Sequence, residues 1–359
     1  MASRRPTIMD VARTAGVSSA TVSRVINGAP TVDKELSRRV RAAVRTTGYV
    51  PNAMGRSLRR GGTAQIAVVA PDAENPYFSQ ITTEVERIAR GQNHSVLIAH
   101  TEEDLEIERT CFAQLVGKQV SGVVLIPVDR THTDLSPLIE ADIPLVLVDR
   151  WVEGASTDLV ATDNVDAGRQ AAVHLHERGF RRPVVIAGPP ELRTTEDRAT
   201  GFLQAWRDAG VEVGEQNLLR GNLFLDSGRS AMQDILTGGE ADCVYVTNNR
   251  MSAGAFEALR GRTDAPALLA TDDDLWTRLV TPSVSVVSQP VRGTGRAAAR
   301  MLGQRMADPD EEPSTTLLRS KIIERESTRP RVARGLPGPA PTVRTEQPPQ
   351  HRTMRRLEA

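Results

Sequence analysis

At 359 residues the chain exceeds the roughly 250 to 300 residues that one hydrophobic core sustains, so two or three domains are expected. It has no run of about 18 apolar residues to span a bilayer and no apolar stretch of about 7 to 15 residues near its start to serve as a signal peptide. Its only cysteines, Cys111 and Cys243, are too few for a disulfide framework or a cysteine-built metal site, which together point to a cytoplasmic protein. The net charge of zero conceals an asymmetry. Residues 1–60 carry twelve Lys and Arg against Asp10, Asp33 and Glu35, a net of +9 that leaves −9 for the rest, and a basic head on an acidic body suits a polyanionic partner at one end only.

The run TIMDVARTAGVSSATVSRVINGAP predicts two short helices joined by a tight turn. Thr7 is placed to cap the first helix, whose Ile8, Val11 and Ala12 follow helical spacing, and Gly16 permits the left-handed conformation that ends it. Ser18 then caps a second helix with Val22, Val25 and Ile26 turned inward. Ser19, Ala20, Thr21, Ser23, Arg24 and Asn27 are left for the outer surface, the small polar face with one Arg that a recognition helix offers to base edges in a major groove. A third helix, Lys34 to Thr47, packs Leu36, Val40 and Val44 and turns Arg38, Arg39, Arg41 and Arg45 outward, where backbone phosphates would lie. This pattern alone also fits a small helical bundle that binds protein.

From Gln65 to about Glu326 short apolar runs alternate with longer amphipathic stretches. The expected strands are Ile66 to Ala70, Ser95 to Ala99, Gly122 to Ile126, Leu145 to Val148, Val160 to Thr162, Val184 to Ala187, Cys243 to Val246, Ala267 to Ala270 and Val284 to Val287. Expected helices run from Ser79 to Gly91, Asp104 to Lys118, Val165 to Arg178, Glu196 to Ala209 and Asn249 to Arg260. Alternation of this kind implies parallel sheets covered by helices, with ligands beyond the C-terminal strand ends, and about 260 residues suffice for two such α/β lobes facing one cleft. The final segment, 329–359, is rich in Pro and Arg and too poor in apolar residues to offset its ordering entropy, so it is expected to be a disordered tail.

The string DVARTAGVSSATVSRVING, followed by GYVPNAMGRSL and then AVVAPDAENPYFSQI, resembles the LacI/GalR (lactose-repressor) family of bacterial regulators, and the resemblance extends to about Arg329. It implies an all-α helix-turn-helix domain with a hinge (1–62, the hinge at about 49–60), then a two-lobed α/β domain like the periplasmic sugar-binding proteins (63–328) that binds an effector and dimerises. The function it implies is a sequence-specific transcriptional regulator, a repressor rather than an activator. It would bind a near-palindromic operator in double-stranded DNA as a homodimer, with affinity set by a small molecule such as a sugar or sugar derivative. By the resemblance the DNA contacts come from Thr7, Ser18, Ser19, Ala20, Thr21, Ser23, Arg24, Asn27, Thr31 and Val32, and from Asn52, Gly55, Leu58 and Arg59 of the hinge. Ser19 and Ala20 match the family's base-choosing pair, and Leu58 matches the wedge that enters the minor groove at the operator centre. Gly55 stands where the family usually has Ala, and Gly inside a helix costs about 0.5 to 1 kcal/mol, so the hinge should resist becoming helical without operator.

Asn75, Tyr77 and Phe78 fall in the loop after the first strand of the α/β domain, at a strand end where ligands bind. Their aromatic faces suit a sugar ring or a base, although Phe78 also suits a core anchor. The resemblance further implies effector contacts from Arg198, whose planar fork fits hydroxyls or a carboxylate, from Asp272, and from Asp149, Trp151, Asp163 and Asn248, with Asn164 beside them. Three departures bear on the ligand: Asn249 where the family prefers Asp, Ala270-Thr271 before Asp272, and Phe180 in place of a frequent His. An enzyme is the competing class. Gly293-Thr294-Gly295 superficially matches a dinucleotide fingerprint, but Pro290 interrupts the approach and no strand-helix-strand return follows. Asp272-Asp273-Asp274 has no partner at metal-ligand spacing, and His174 and His176 point to different helix faces. No catalytic residues, metal or cofactor are therefore expected.

Overall fold

Thr7 opens the first helix, α1 (Ile8–Ala15), because the Asp10 carboxylate reaches back to accept from the Thr7 backbone N–H at 2.8 Å and its hydroxyl at 2.7 Å. The computed structural model describes residues 6–26, 33–48 and 65–330. Gly16 closes α1 at φ 63°, and α2 (Ser19–Ile26) starts from Ser18, whose Oγ accepts from Thr21 N–H at 3.1 Å. The third helix, α3 (Lys34–Thr47), is capped by Asp33, which accepts from the amides of Glu35 and Leu36. Val11, Ala12, Ala15, Val22, Val25, Val40 and Ala43 form the small core of this unit. Ser18, Ser19, Ala20 and Arg24 are exposed, while Thr21 and Ser23 are half-buried. Two details modify the sequence expectation. Thr21 shares its hydroxyl with Ser18 at 2.9 Å, and Arg39 turns back to donate to the Ala15 carbonyl at 2.7 Å, tying α3 to the end of α1. Asn27, Thr31, Val32, Asn52, Gly55, Leu58 and Arg59 lie outside the described residues, as do residues 331–359 of the tail.

Two sheets of six strands follow. The first lobe contains β1 (Gln65–Ala70), α4 (Pro76–Gly91), β2 (Ser95–His100), α5 (Leu105–Lys118), β3 (Gly122–Leu125), α6 (Ser136–Glu140), β4 (Leu145–Val148) and β5 (Asp158–Thr162). The chain then crosses to the second lobe through α7 (Asn164–Glu177), β6 (Pro183–Ala187), α8 (Arg193–Asp208), β7 (Leu218–Arg220), α9 (Leu225–Gly238), β8 (Cys243–Val246), α10 (Asn249–Leu259), β9 (Ala267–Thr271), α11 (Leu275–Leu279) and β10 (Ser285–Ser288). It returns to the first lobe as α12 (Val291–Ala307) and β11 (Thr315–Leu318), and ends in the second as β12 (Lys321–Ile323).

The strand orders are β2-β1-β3-β4-β5-β11 and β7-β6-β8-β9-β10-β12, so the lobes repeat one topology position by position. All neighbours are parallel except β12, which runs antiparallel to β10. Each sheet is buried on both faces: α4 and α12 cover one side of the first and α5 and α6 the other, while α7 and α8 oppose α9 and α10 on the second. Such strands read as continuous apolar runs, LVLV in β4 and CVYV in β8, because neither face meets water.

Close helix packing rests on glycine. A Cβ at Gly168 would collide with the carbonyl of Arg198, and one at Gly201 with the carbonyl of Val165, so α7 and α8 meet backbone to backbone and fix where Arg198 starts. Gly295 does the same for α12: a Cβ there would stand 2.7 Å from the Ile81 carbonyl of α4. The Gly-Thr-Gly run that resembles a dinucleotide fingerprint therefore lies inside α12 and serves packing.

Candidate functional site

The C-terminal ends of both sheets face a cleft of about 450 Å³. Asp149 ends β4 and Asp272 ends β9, the fourth strands of the two lobes, and both adopt left-handed backbone, at φ 66° and 68°. Each donates its N–H to the next strand, Asp149 to Val160 and Asp272 to Val287, both at 2.9 Å. The repeat thus delivers one carboxylate from each lobe to equivalent places in the cleft wall. Side chains other than Gly reach this conformation at a cost, which is more often met at binding sites than elsewhere.

Asp149 accepts from the Tyr77 hydroxyl at 2.8 Å. Tyr77 is buried at the start of α4, and burial together with Asp149 holds its phenol well above the usual tyrosine range, so it remains a neutral donor. Phe78 packs edge-on to Tyr77 at 5.3 Å; it lines the cleft and also belongs to the first lobe's core. Asn75 caps α4 and accepts from Tyr77 N–H at 3.0 Å.

In the second lobe Arg198 is buried on α8 and all three of its nitrogens are used. Nε donates to Asn164 Oδ1, Nη1 to the Thr247 carbonyl and Nη2 to Gln289 Oε1, each at 2.8 Å. Gln289 in turn donates from Nε2 to both oxygens of Asp272, at 3.0 and 3.2 Å. Burial, only partly offset by Arg198 and Gln289, raises the Asp272 carboxyl to about 7. Asn164 and Gln289 sit on the segments where the chain crosses between lobes, so this polar chain runs from the cleft floor into the crossovers.

The two lobes are also clasped directly. Arg250 at the start of α10 donates to Asp72 of the first lobe at 2.6 Å, and Asn249 donates to Asn75 Oδ1 at 2.9 Å. The departure at position 249 has a local reason: an Asp there would set a second carboxylate against Asn75 Oδ1 and against Asp274, now 3.4 Å from the Asn249 amide. Thr271, the other departure, donates to the Val246 carbonyl at 2.7 Å, and Phe180 is core.

Of the nine expected effector residues, Asn75, Tyr77, Phe78, Asp149, Trp151, Arg198, Asn248 and Asp272 line the cleft. Asn248 does so while capping α10 through Met251 N–H. Asp163 does not line it; it caps α7 by accepting from Asp166 N–H at 2.9 Å. Sequence reasoning missed Gln289, Arg250, Asp72 and Phe224. Gln289 and Asp72 follow strand ends and could have been found by that rule; Phe224 follows β7, a strand too short to be legible. Among the described residues no group of His, Cys, Asp and Glu is arranged to hold a metal, and no helix is long and apolar enough to cross a membrane. His174 hydrogen-bonds Thr328 and His176 packs on Trp206, on separate faces of α7.

The chain matches the family model described as periplasmic binding proteins and sugar binding domain of LacI family over residues 63–326, and that of the bacterial regulatory proteins, lacI family, over residues 7–52. It is 32% identical over 330 residues to the HTH-type transcriptional repressor PurR of Escherichia coli, covering 89% of this chain and 96% of that one; the Klebsiella pneumoniae PurR is 33% identical over the same span. Among solved structures, the transcriptional regulator CelR in complex with cellobiose is 30% identical with a TM-score of 0.68 over 90% of this chain and all of that one. The Lac repressor dimer bound to operator and the anti-inducer ONPF superposes with a TM-score of 0.80 at 22% identity over 91% of this chain and all of that one, a likeness of fold. The chain belongs to the LacI family of bacterial regulatory proteins.

Proposed function

We propose that this regulator is a repressor that binds a near-palindromic operator as a homodimer and is controlled by a carbohydrate held between its lobes. The exposed face of α2, with Ser19, Ala20 and Arg24, is assigned to base edges in the major groove, and the basic charge of the head to phosphates. The observation that carries the effector assignment is the pair of strand-end carboxylates, Asp149 and Asp272, facing one cleft from equivalent positions. Two carboxylates, the Tyr77 hydroxyl and aromatic surface from Phe78, Trp151 and Phe224 supply what a polyhydroxylated ring needs: acceptors for hydroxyls and flat faces for C–H. The cellobiose complex of CelR supports the same chemistry. The domain limits proposed with this reading are 1–62 for the head with its hinge and 63–328 for the effector domain.

The test is a fluorescence-anisotropy titration of the full-length protein against a pool of near-palindromic duplexes of about 20 base pairs, at two salt concentrations. A mono- and disaccharide panel is then added to the enriched complex. Selective, salt-dependent binding that one saccharide shifts is the expected result. Binding without sequence preference would overturn the recognition-helix assignment, and an operator complex indifferent to every saccharide would overturn the carbohydrate assignment.

A further inference from the structure

Two aromatic rings reach the cleft from opposite lobes, and the same construction stands behind each. In the first lobe the Arg130 guanidinium lies 5.3 Å over the Trp151 ring, and Glu153 holds Arg130 at 3.3 Å. In the second lobe the Arg250 guanidinium lies 4.8 Å over the Phe224 ring, and Asp72 holds Arg250 at 2.6 Å. An arginine laid on one face of a ring fixes its tilt and leaves the opposite face as the one that can stack on a ligand. Phe224 is 52% exposed although it is a large aromatic, and all four residues line the cleft.

The two platforms belong to different parts of the wall. Phe224 comes from the loop after β7, the edge strand of its sheet, and shares its neighbourhood with Asp72 and Arg250. Trp151 comes from the loop after β4, the fourth strand of its sheet, and shares its neighbourhood with Arg130 and Glu153. No hydrogen bond or ion pair among the described residues joins one group to the other. A cleft of about 450 Å³ is more than twice what a single hexose fills at the packing density of a protein interior.

We infer that the effector carries at least two sugar rings, one stacked on Phe224 above the Asp149–Asp272 floor and the other on Trp151 beside Arg130. This rests on the carbohydrate reading above and adds the size of the ligand and the residues that select it. Trp151 and Arg130 then set the preference for a disaccharide over its parent monosaccharide, while the floor contacts serve either.

Isothermal titration of the full-length protein with glucose, galactose, xylose and the disaccharides maltose, cellobiose, trehalose, lactose and xylobiose tests this. The expected result is a disaccharide that binds at least tenfold tighter than any monosaccharide. Trp151→Ala is expected to weaken that disaccharide at least tenfold more than it weakens any monosaccharide, Trp151→Phe to restore most of the loss, and Phe224→Ala to weaken both alike. A monosaccharide that binds as tightly as every disaccharide, or a Trp151→Ala variant that weakens one ring and two rings alike, overturns the two-ring inference and leaves the carbohydrate reading standing. Binding of no saccharide in the panel overturns both.

Discussion

Asp272 shows how a single residue in this cleft is held between two requirements. It is buried beside Gln289 and indirectly coupled to Arg198, yet its carboxyl titrates at about 7 rather than at its ordinary 3.8, because burial penalises the anion more than its neighbours compensate. An acid whose folded pKa is raised binds its proton more tightly in the native chain than in the unfolded one. Its contribution to stability is therefore greatest below about pH 4 and is lost as pH rises towards about 7. A shift of about three units corresponds to a change on the order of 4 kcal/mol. Asp272→Asn removes the titration, so wild type and variant are expected to melt at similar temperatures at about pH 4, with the variant melting higher at pH 8. Parallel melting curves from pH 4 to 8 would exclude this account. A ligand hydroxyl donates more strongly to the anion than to the neutral acid, so effector affinity should rise as pH passes through about 7. The position of Asp272 at a strand end was legible in the sequence; its partner Gln289 also follows a strand end, but its pairing with Asp272 and Arg198 shows only once the fold brings the three together.

At the scale of elements, the head illustrates what local sequence decides. Gly16 is left-handed at φ 63° and lies where a Cβ would stand 3.0 Å from the Arg39 guanidinium, the group that secures the Ala15 carbonyl. Gly16→Ala is expected to cost about 1 to 2 kcal/mol from backbone conformation alone and to displace Arg39, so the unfolding transition of the head moves down and operator affinity falls. An unchanged transition would mean that the turn adapts without strain. Caps and periodicity were enough to place α1, α2 and α3 within a residue, and β4 and β8 fall where their apolar runs predicted, since strands buried on both faces are nearly all Val, Leu and Ile. The elements that escaped are those whose stability comes from elsewhere. β7 is three residues, β11 and β12 are short and partly exposed at sheet edges, and α9 carries Gly228 in its first turns because it must approach the α10 backbone. The pairing of Asp149 with Asp272 could not be seen from either alone, since it is a property of the repeated topology.

For the whole molecule, the contacts that form the cleft are also those that hold the lobes in one relation. Asp72–Arg250 and Asn75–Asn249 join the lobes directly. Arg198 gathers Asn164 and Gln289, one on the crossover from β5 to α7 and one on the crossover from β10 to α12, so a ligand that engages Asp272 is linked to both crossover segments, which any movement between two arrangements of the lobes would have to flex. A ligand can shift that equilibrium only by the difference in its affinity for the two arrangements, and the coupling is reciprocal. The factor by which effector changes the operator dissociation constant should equal the factor by which operator changes the effector dissociation constant, within a range of about 5 to 150. Asp72→Asn removes the charge that anchors Arg250 without emptying the cleft wall, and is expected to lower both factors together. Factors that disagree in the wild type would mean that a third equilibrium, such as subunit association, is being read along with closure. If they agree but Asp72→Asn leaves them unmoved, the coupling runs through the crossovers at Asn164 and Gln289 alone, and the Asp72–Arg250 clasp only shapes the cleft mouth.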